Sequence, residues 1–380
     1  MSERVVRALG EGLGGPEAIQ LLQRSQRSKI LLLVRLAAEL AGPADHGEAA
    51  QIGHAYRLLK RLMEGAPETA DRVLRSPSVG ACALATVGRL RGEPTDWPSF
   101  DRLASLMKST ASRAPAKAWL QVGDESLAIE IFLAQPESGY FPGVEIDRTL
   151  CDDAARVAVW RRRLATGCQI LLRHHRSVAE EVAAIMTTLV PLTDPPSGHN
   201  SGTFRHAFGL VAMSLPPDGT AAALTLAHEV QHAKLAALMD LFPMVADRPE
   251  ISCYTPWRPD PRPLPAALQG AYAHLGVTGF WRTQRWHEKE PSKAHQAEVE
   301  FARWRSGTAQ AVRVLLGSGH LTAVGRVFVM AMSDQLARWS AESVSARAGA
   351  AAARLAVEHR LAWLQRNGSD AGVGSRRSSL

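Results

Sequence analysis

The strongest constraint on this chain is the recurrence of apolar residues at three- and four-residue spacing along most of its length. Such spacing lines one face of an α-helix and leaves the other face polar. It runs through "AIQLLQRSQRSKILLLVRLAAELA" and "AAQIGHAYRLLKRLMEGAPETADRVLRSPSV", broken at Gly42-Pro43 and Ser76-Pro77, and predicts helix from Gly15 to Leu120. Helix is expected again from Asp152 to Val190, and from Ala266 to Gln365 with breaks near Pro291 and Gly317–Gly319. Two segments read differently. "ESLAIEIFLAQ" (Glu125–Gln135) partly alternates and ends at the turn-rich "PESGYFPG". "FGLVAMSL" (Phe208–Leu215) is a strand-like run that leads through Pro216-Pro217-Asp218-Gly219 into another helix. The expected class is mainly α with a small β element (α+β).

With 380 residues, 46% of them hydrophobic, the chain can bury a substantial core. No segment reaches the roughly 18 uninterrupted apolar residues that cross a bilayer, since "ILLLVRLAAELAG" carries Arg35 and Glu39. The opening "MSERVVRALGEGLGGPEAIQ" has acids where a signal peptide is apolar, so a cytoplasmic location without membrane contact is expected. Cys82, Cys151, Cys168 and Cys253 are scattered with no CxxC pair, which predicts free and mostly buried thiols. The net charge of +7 comes from arginines spread along helices, without a lysine stripe or interleaved aromatics. That pattern favours a solvated surface over nucleic-acid binding and leaves room for attraction to an acidic peptide.

Chemistry concentrates in "ALTLAHEVQHAKLAALMD" (Ala223–Asp240). On a helix, His228 and His232 are rotated by about 40° from each other and can present two imidazoles to one ion. Glu229 lies about 100° from His228, within reach of a metal-bound water. Asp240 returns to nearly the same face, either to orient a ligand imidazole or simply to end the helix. A reactive centre needs a third protein ligand. His274, in "LQGAYAHLGVTGFW", is the first choice. It stands in an apolar helix beside Gly270, Ala271, Ala273 and Gly276, small residues that let two helices approach closely. Glu298 and Glu300 on a later helix are possible carboxylate ligands, of which Glu298 ranks next. His287 and His295 lie among charged residues, and the tandem His174-His175 is better suited to packing or surface than to ligation. The resulting division is a helical N-terminal region (1–125), a metal-site catalytic region (126–366) and a disordered tail (367–380).

HExxH by itself suggests a zinc peptidase, with Glu229 as general base and "FGLVAMSL" as an edge strand that aligns the substrate. However, "AKLAALMDL" after His232 lacks the GxxH extension, and no following helix offers a glutamate at the usual short distance. "HEVQHAKLAALMDLFPM" followed by "WRPDPRPLPAALQGAYAHLGV" instead resembles the bacterial HExxH-motif proteins encoded beside ribosomally made peptide natural products. These are iron(II)- and 2-oxoglutarate-dependent peptide β-hydroxylases, and the resemblance is strongest over Leu224–Trp281. It implies His228, His232 and His274 as metal ligands, Fe(II), 2-oxoglutarate and O2 as cofactors, and a precursor peptide as substrate. Other peptide-maturation enzymes are further expected partners.

Iron of this kind needs open positions for a bidentate 2-oxo acid and O2. The distal carboxylate needs a cation, for which Arg258 and Arg262 on the proline-stiffened "WRPDPRP" are suited. Their alternative role is to bond backbone carbonyls. Trp257 and Tyr272 either line the pocket or pack. A zinc peptidase and a non-catalytic peptide-binding protein with a vestigial motif are the competing readings.

Overall fold

The structure, a computed structural model, describes residues 1–44, 46–93, 101–112, 119–133, 145–196, 198–246 and 251–368. The expected turn at "PESGYFPG" lies outside the described residues, as do residues 369–380 of the expected disordered tail (367–380), whereas Asn367 ends a helix.

The chain is mainly helical with a small mixed sheet. The first half contains α1 (Glu3–Gly10), α2 (Gly15–Ala41), α3 (Gly47–Gly65), α4 (Pro67–Leu74), α5 (Pro77–Leu90), α6 (Asp101–Ser112), α7 (Ala154–His174) and α8 (Arg176–Ile185). Then come α9 (Gly219–Met239), α10 (Leu264–Gln284), α11 (Pro291–Gly317), α12 (Ala323–Ser340) and α13 (Ala346–Asn367). The strands are β1 (Leu120–Gly123), β2 (Ala128–Leu133), β3 (Thr188–Pro191), β4 (Ser201–Thr203), β5 (Leu210–Met213), β6 (Ser252–Cys253) and β7 (Arg262–Pro263). Gly42 follows α2 with φ of 70°, and Pro77 opens α5 behind Ser76, whose side chain accepts from the Val79 amide. These are the punctuation marks that the sequence shows. The helix expected through Val190 instead ends at Ile185, because "TLVP" enters the sheet as β3.

Contacts gather the chain into two compact units, each built from segments on both sides of residue 125. One comprises Gln20–Gln169 and Val182–Ala222 and contains the five-stranded sheet, in the order β1-β2-β3-β5-β4. Val34, Leu59, Val79, Leu103 and Met107 pack with Val190 and Leu210 into its main core. Strands β3 and β5 run parallel, and β5 is buried at every position, which explains its continuous apolar run. The expectation that this strand is an edge is corrected here: β5 is paired on both sides, by β3 and β4.

The other unit comprises Met1–Ile19, Ile170–Glu181 and Ala223–Leu380. The "WRPDPRP" stretch is not simply extended, because Cys253 pairs with Arg262 across the short β6–β7 ladder and closes it into a loop. The N-terminal segment is held against α9 and α10. Lys234 donates to the Gly12 carbonyl (2.9 Å) and to Glu181 (2.5 Å), Gln231 donates to the same carbonyl (3.1 Å), and the Tyr272 hydroxyl donates to the Leu9 carbonyl (2.6 Å). Glu181 also accepts from the Gly14 amide at 2.8 Å. Tyr272 is fully buried in this packing, so of its two expected roles it takes the structural one.

None of the four cysteines is in a disulfide; Cys82, Cys168 and Cys253 are buried and Cys151 is exposed. Among the described residues, no helix is long and apolar enough to cross a membrane.

Candidate metal centre

Helix α9 is buried almost all round, which its apolar sequence requires, but one stripe stays partly open at Leu224, His228 and His232. The two imidazoles are therefore the accessible part of an otherwise enclosed helix. Their Nε2 atoms face each other at 3.1 Å. With metal–nitrogen bonds of about 2.1 Å, two ligands of one ion have nitrogens about 3.0 Å apart at octahedral angles and about 3.4 Å apart at tetrahedral ones. The pair has the spacing that a shared ion imposes.

His274 stands beside them on α10, its ring centroid 5.4 Å from that of His228, compared with 4.8 Å between His228 and His232. The same bond length puts ring centroids about 4.6–5.3 Å apart, so the third ring lies just outside that range. Among the described residues, no three His, Cys, Asp or Glu side chains form a complete metal-binding cluster. Two donors are at ligating distance and a third borders them.

Hydrogen bonds decide which ring nitrogen is presented. His232 Nδ1 bonds to Gln269 Oε1 (3.1 Å), and His274 Nδ1 donates to the Gly270 carbonyl (2.9 Å). A ligand histidine commits one nitrogen to such an acceptor and keeps the other for the metal. Burial, helped by the neighbouring imidazoles His232 and His274, holds His228 well below the usual imidazole range. Burial also pushes His274 down to about 3, against the opposing bond to Gly270. Both rings are neutral at pH 7, as ligation requires. Glu229 is 1% exposed, with Oε1 4.0 Å from His228 Nε2.

Gly276 lets α10 close on α9: a Cβ there would meet Gln231 Cγ at 2.6 Å and the Ala227 carbonyl oxygen at 2.9 Å. Gly270 serves a different contact. Its missing side chain admits Trp257, whose ring stacks on His274 with centroids 4.3 Å apart. Trp304 of α11 covers another side of His274 at 4.7 Å. The "WRPDPRP" loop thus reaches the imidazoles through its tryptophan. Its arginines share one carboxylate, with Arg258 3.2 Å and Arg262 3.3 Å from Asp260.

The remaining expected residues have other roles. Glu298 accepts from the backbone and hydroxyl of Ser345, which caps α13, and Glu300 accepts from Gln296. His287 stacks on His174 with centroids 4.0 Å apart, while His175 is buried against Phe280 and bonded to Gln284. Asp240 lies just past α9, and the acceptor at His232 Nδ1 is Gln269. Gln269, Trp304 and the Lys234–Glu181 pair were not anticipated. Gln269 carries no helical-spacing signal, because five residues before His274 put it about 140° round the same helix. Comparison with known proteins returns no matching family model and no matching curated protein.

Proposed function

We propose that this chain is an iron(II)- and 2-oxoglutarate-dependent enzyme that hydroxylates a β-carbon of a ribosomally synthesised precursor peptide. The observation that carries a metal-dependent function is the convergence of His228 and His232 Nε2 at 3.1 Å, with His274 alongside. The choice of iron and a 2-oxo acid rests on the motif resemblance over Leu224–Trp281. The same proposal includes a zincin-like packing of the HExxH helix on a second ligand-bearing helix, supported by the approach at Gly276. Iron bound here would supply the activation of O2 coupled to oxidative decarboxylation of the cosubstrate.

The protein's own groups have separable tasks. Gln269 and the Gly270 carbonyl fix the His232 and His274 rings. Trp257 and Trp304 shield the third imidazole from water. Arg258 or Arg262 holds the distal carboxylate by exchanging its contact with Asp260. Such exposed ion pairs are worth only about 0–1 kcal/mol, so a bidentate ligand can displace them. Glu229, with Oε1 4.0 Å from His228 Nε2, acts beside the metal position rather than as a ligand.

A second reading, a zinc peptidase, draws on Glu229 Oε1 at 4.0 Å from His228 Nε2, where a general base would address a metal-bound water. One experiment separates the two. The protein is reconstituted without oxygen with iron(II) and 2-oxoglutarate, inspected for a visible charge-transfer band, and then given a candidate peptide and air. The band, succinate, and a peptide heavier by one oxygen atom are expected. Peptide cleavage with zinc and no need for 2-oxoglutarate would replace the first reading with the second.

A further inference from the structure

The loop from β6 to β7 brings Trp257 onto His274 and carries Arg258 and Arg262. It fits the neighbouring helices by shape. Gly270 of α10 admits Trp257, and Gly307 of α11 receives Pro256, whose Cβ would lie 3.2 Å from a Cβ added at that glycine. Apolar contacts of this sort are non-directional, whereas hydrogen bonds fix an orientation.

Among the described residues, every hydrogen bond that leaves this loop for another helix goes to α13. The Tyr254 hydroxyl is bonded to His359 Nδ1 at 2.9 Å, and Asn367 Nδ2 donates to the Pro259 carbonyl at 2.8 Å. Trp257 lies between these two tied positions. The loop's other bonds are local, from the Arg258 amide to the Thr255 carbonyl (3.3 Å) and from both arginines to Asp260. His359, Trp363 and Asn367 recur every four residues and so share one side of α13. The tie at Tyr254 is also enclosed. Trp363 meets that ring edge-on at 5.3 Å, and the Arg360 guanidinium lies over both rings, at 4.4 Å from Tyr254 and 5.0 Å from Trp363. A hydrogen bond in such surroundings is stronger than one in open water.

We propose that His359 and Asn367 are positioning residues of the metal centre, acting through the loop that they clamp. With Tyr254 and Pro259 held, Trp257 stays stacked on His274, and Arg258 and Arg262 stay beside the site where an acidic cosubstrate is proposed to bind. Neither α13 residue touches the imidazoles. The inference rests on reading His228, His232 and His274 as a metal centre and applies to iron or zinc alike.

The test uses the full chain in four forms: the parent, His359→Ala, Asn367→Ala and His359→Asn. Asparagine can place either an acceptor or a donor where His359 has Nδ1, so it keeps the bond to Tyr254. Hydrogen exchange at the Trp257 and Arg258 amides, measured without metal, should be about tenfold faster in both alanine variants and parent-like in His359→Asn. Cobalt(II) is the metal probe, because its visible absorption reports ligand number and geometry. Both alanine variants should change that absorption and bind cobalt about tenfold more weakly, while His359→Asn should match the parent. If His359→Ala does not fold, Asn367→Ala, at the end of the last helix, decides. Equal exchange in the parent and the alanine variants overturns the clamp, and faster exchange with unaltered cobalt binding and absorption overturns the positioning role. A parent that binds no cobalt overturns the metal-centre reading and the positioning role with it; the exchange rates tell that failure from a loop that is not clamped.

Discussion

Gln269 is bonded to one nitrogen of His232, and that bond leaves Nε2 facing His228. Replacing it with leucine frees the ring to rotate, and metal affinity should fall by about 10–100-fold in a competitive chelator titration. Gln269→Glu, which keeps an acceptor, should retain most of the affinity. Equal affinity in both variants and the parent would show that the bond does not position a ligand. A second residue-scale expectation concerns Lys234. Lys234→Met strands Glu181 in the interior and should cost about 3–5 kcal/mol in urea unfolding. Adding Glu181→Gln should recover part of the loss; no recovery would mean that the charge on Glu181 is not the cause. The two cases differ in how visible they are in the sequence. "HEVQH" is legible because ligand geometry fixes residue types at a helical spacing. Lys234 is not, because a lysine in an amphipathic stretch usually reaches solvent, and its partners Gly12 and Glu181 are 222 and 53 residues away.

Among the elements, α10 owes its position to a glycine. Gly276→Ala puts a methyl group 2.9 Å from the Ala227 carbonyl oxygen, a backbone atom with little freedom to move, and 2.6 Å from Gln231 Cγ. A loss of about 1–3 kcal/mol in stability is expected, together with weaker metal binding. A melting temperature equal to that of the parent would argue against so close a seam. Between α7 and α8, His175 introduces a pH dependence. Burial pushes it from its ordinary 6.5 to about 4, with His174 and His287 acting in the same direction and the bond to Gln284 opposing. The folded state then binds fewer protons than the unfolded chain between those values. Its stability is complete above pH 6.5 and declines as pH falls toward 4, by at most about 1.4 kcal/mol per pH unit for this group. His175→Gln should flatten that slope in unfolding curves taken from pH 7 to 4. The helix boundaries marked by Pro or Gly were legible in the sequence. The break between α12 and α13 was not, because its stop signal is Ser345, a cap fixed by Glu298 forty-seven residues earlier.

For the molecule as a whole, the mainly helical class follows from apolar spacing alone, whereas the membership of the two units does not. Val5, Val6 and Leu9 are buried, Gly10 fits against the Phe328 carbonyl where a Cβ would come within 2.5 Å, and Arg7 pairs with Asp334. Nothing in the opening residues announces partners so far along the chain. Deleting residues 1–14 should therefore destabilise the unit that carries the imidazoles. The truncated protein should show a lower melting temperature and reduced metal affinity; unaltered values for both would show that the segment is dispensable.

The clamp of the N-terminal segment also has a consequence in time. Leu9 waits 263 residues for Tyr272 and Arg7 waits 327 for Asp334. At a synthesis rate of about 5–20 residues per second, α1 spends roughly ten seconds to a minute outside the ribosome with its apolar face uncovered. A newly made chain must keep that face from other partners until its last third arrives, so slow translation or the loss of a holding chaperone should reduce the yield of soluble protein before it alters the finished fold.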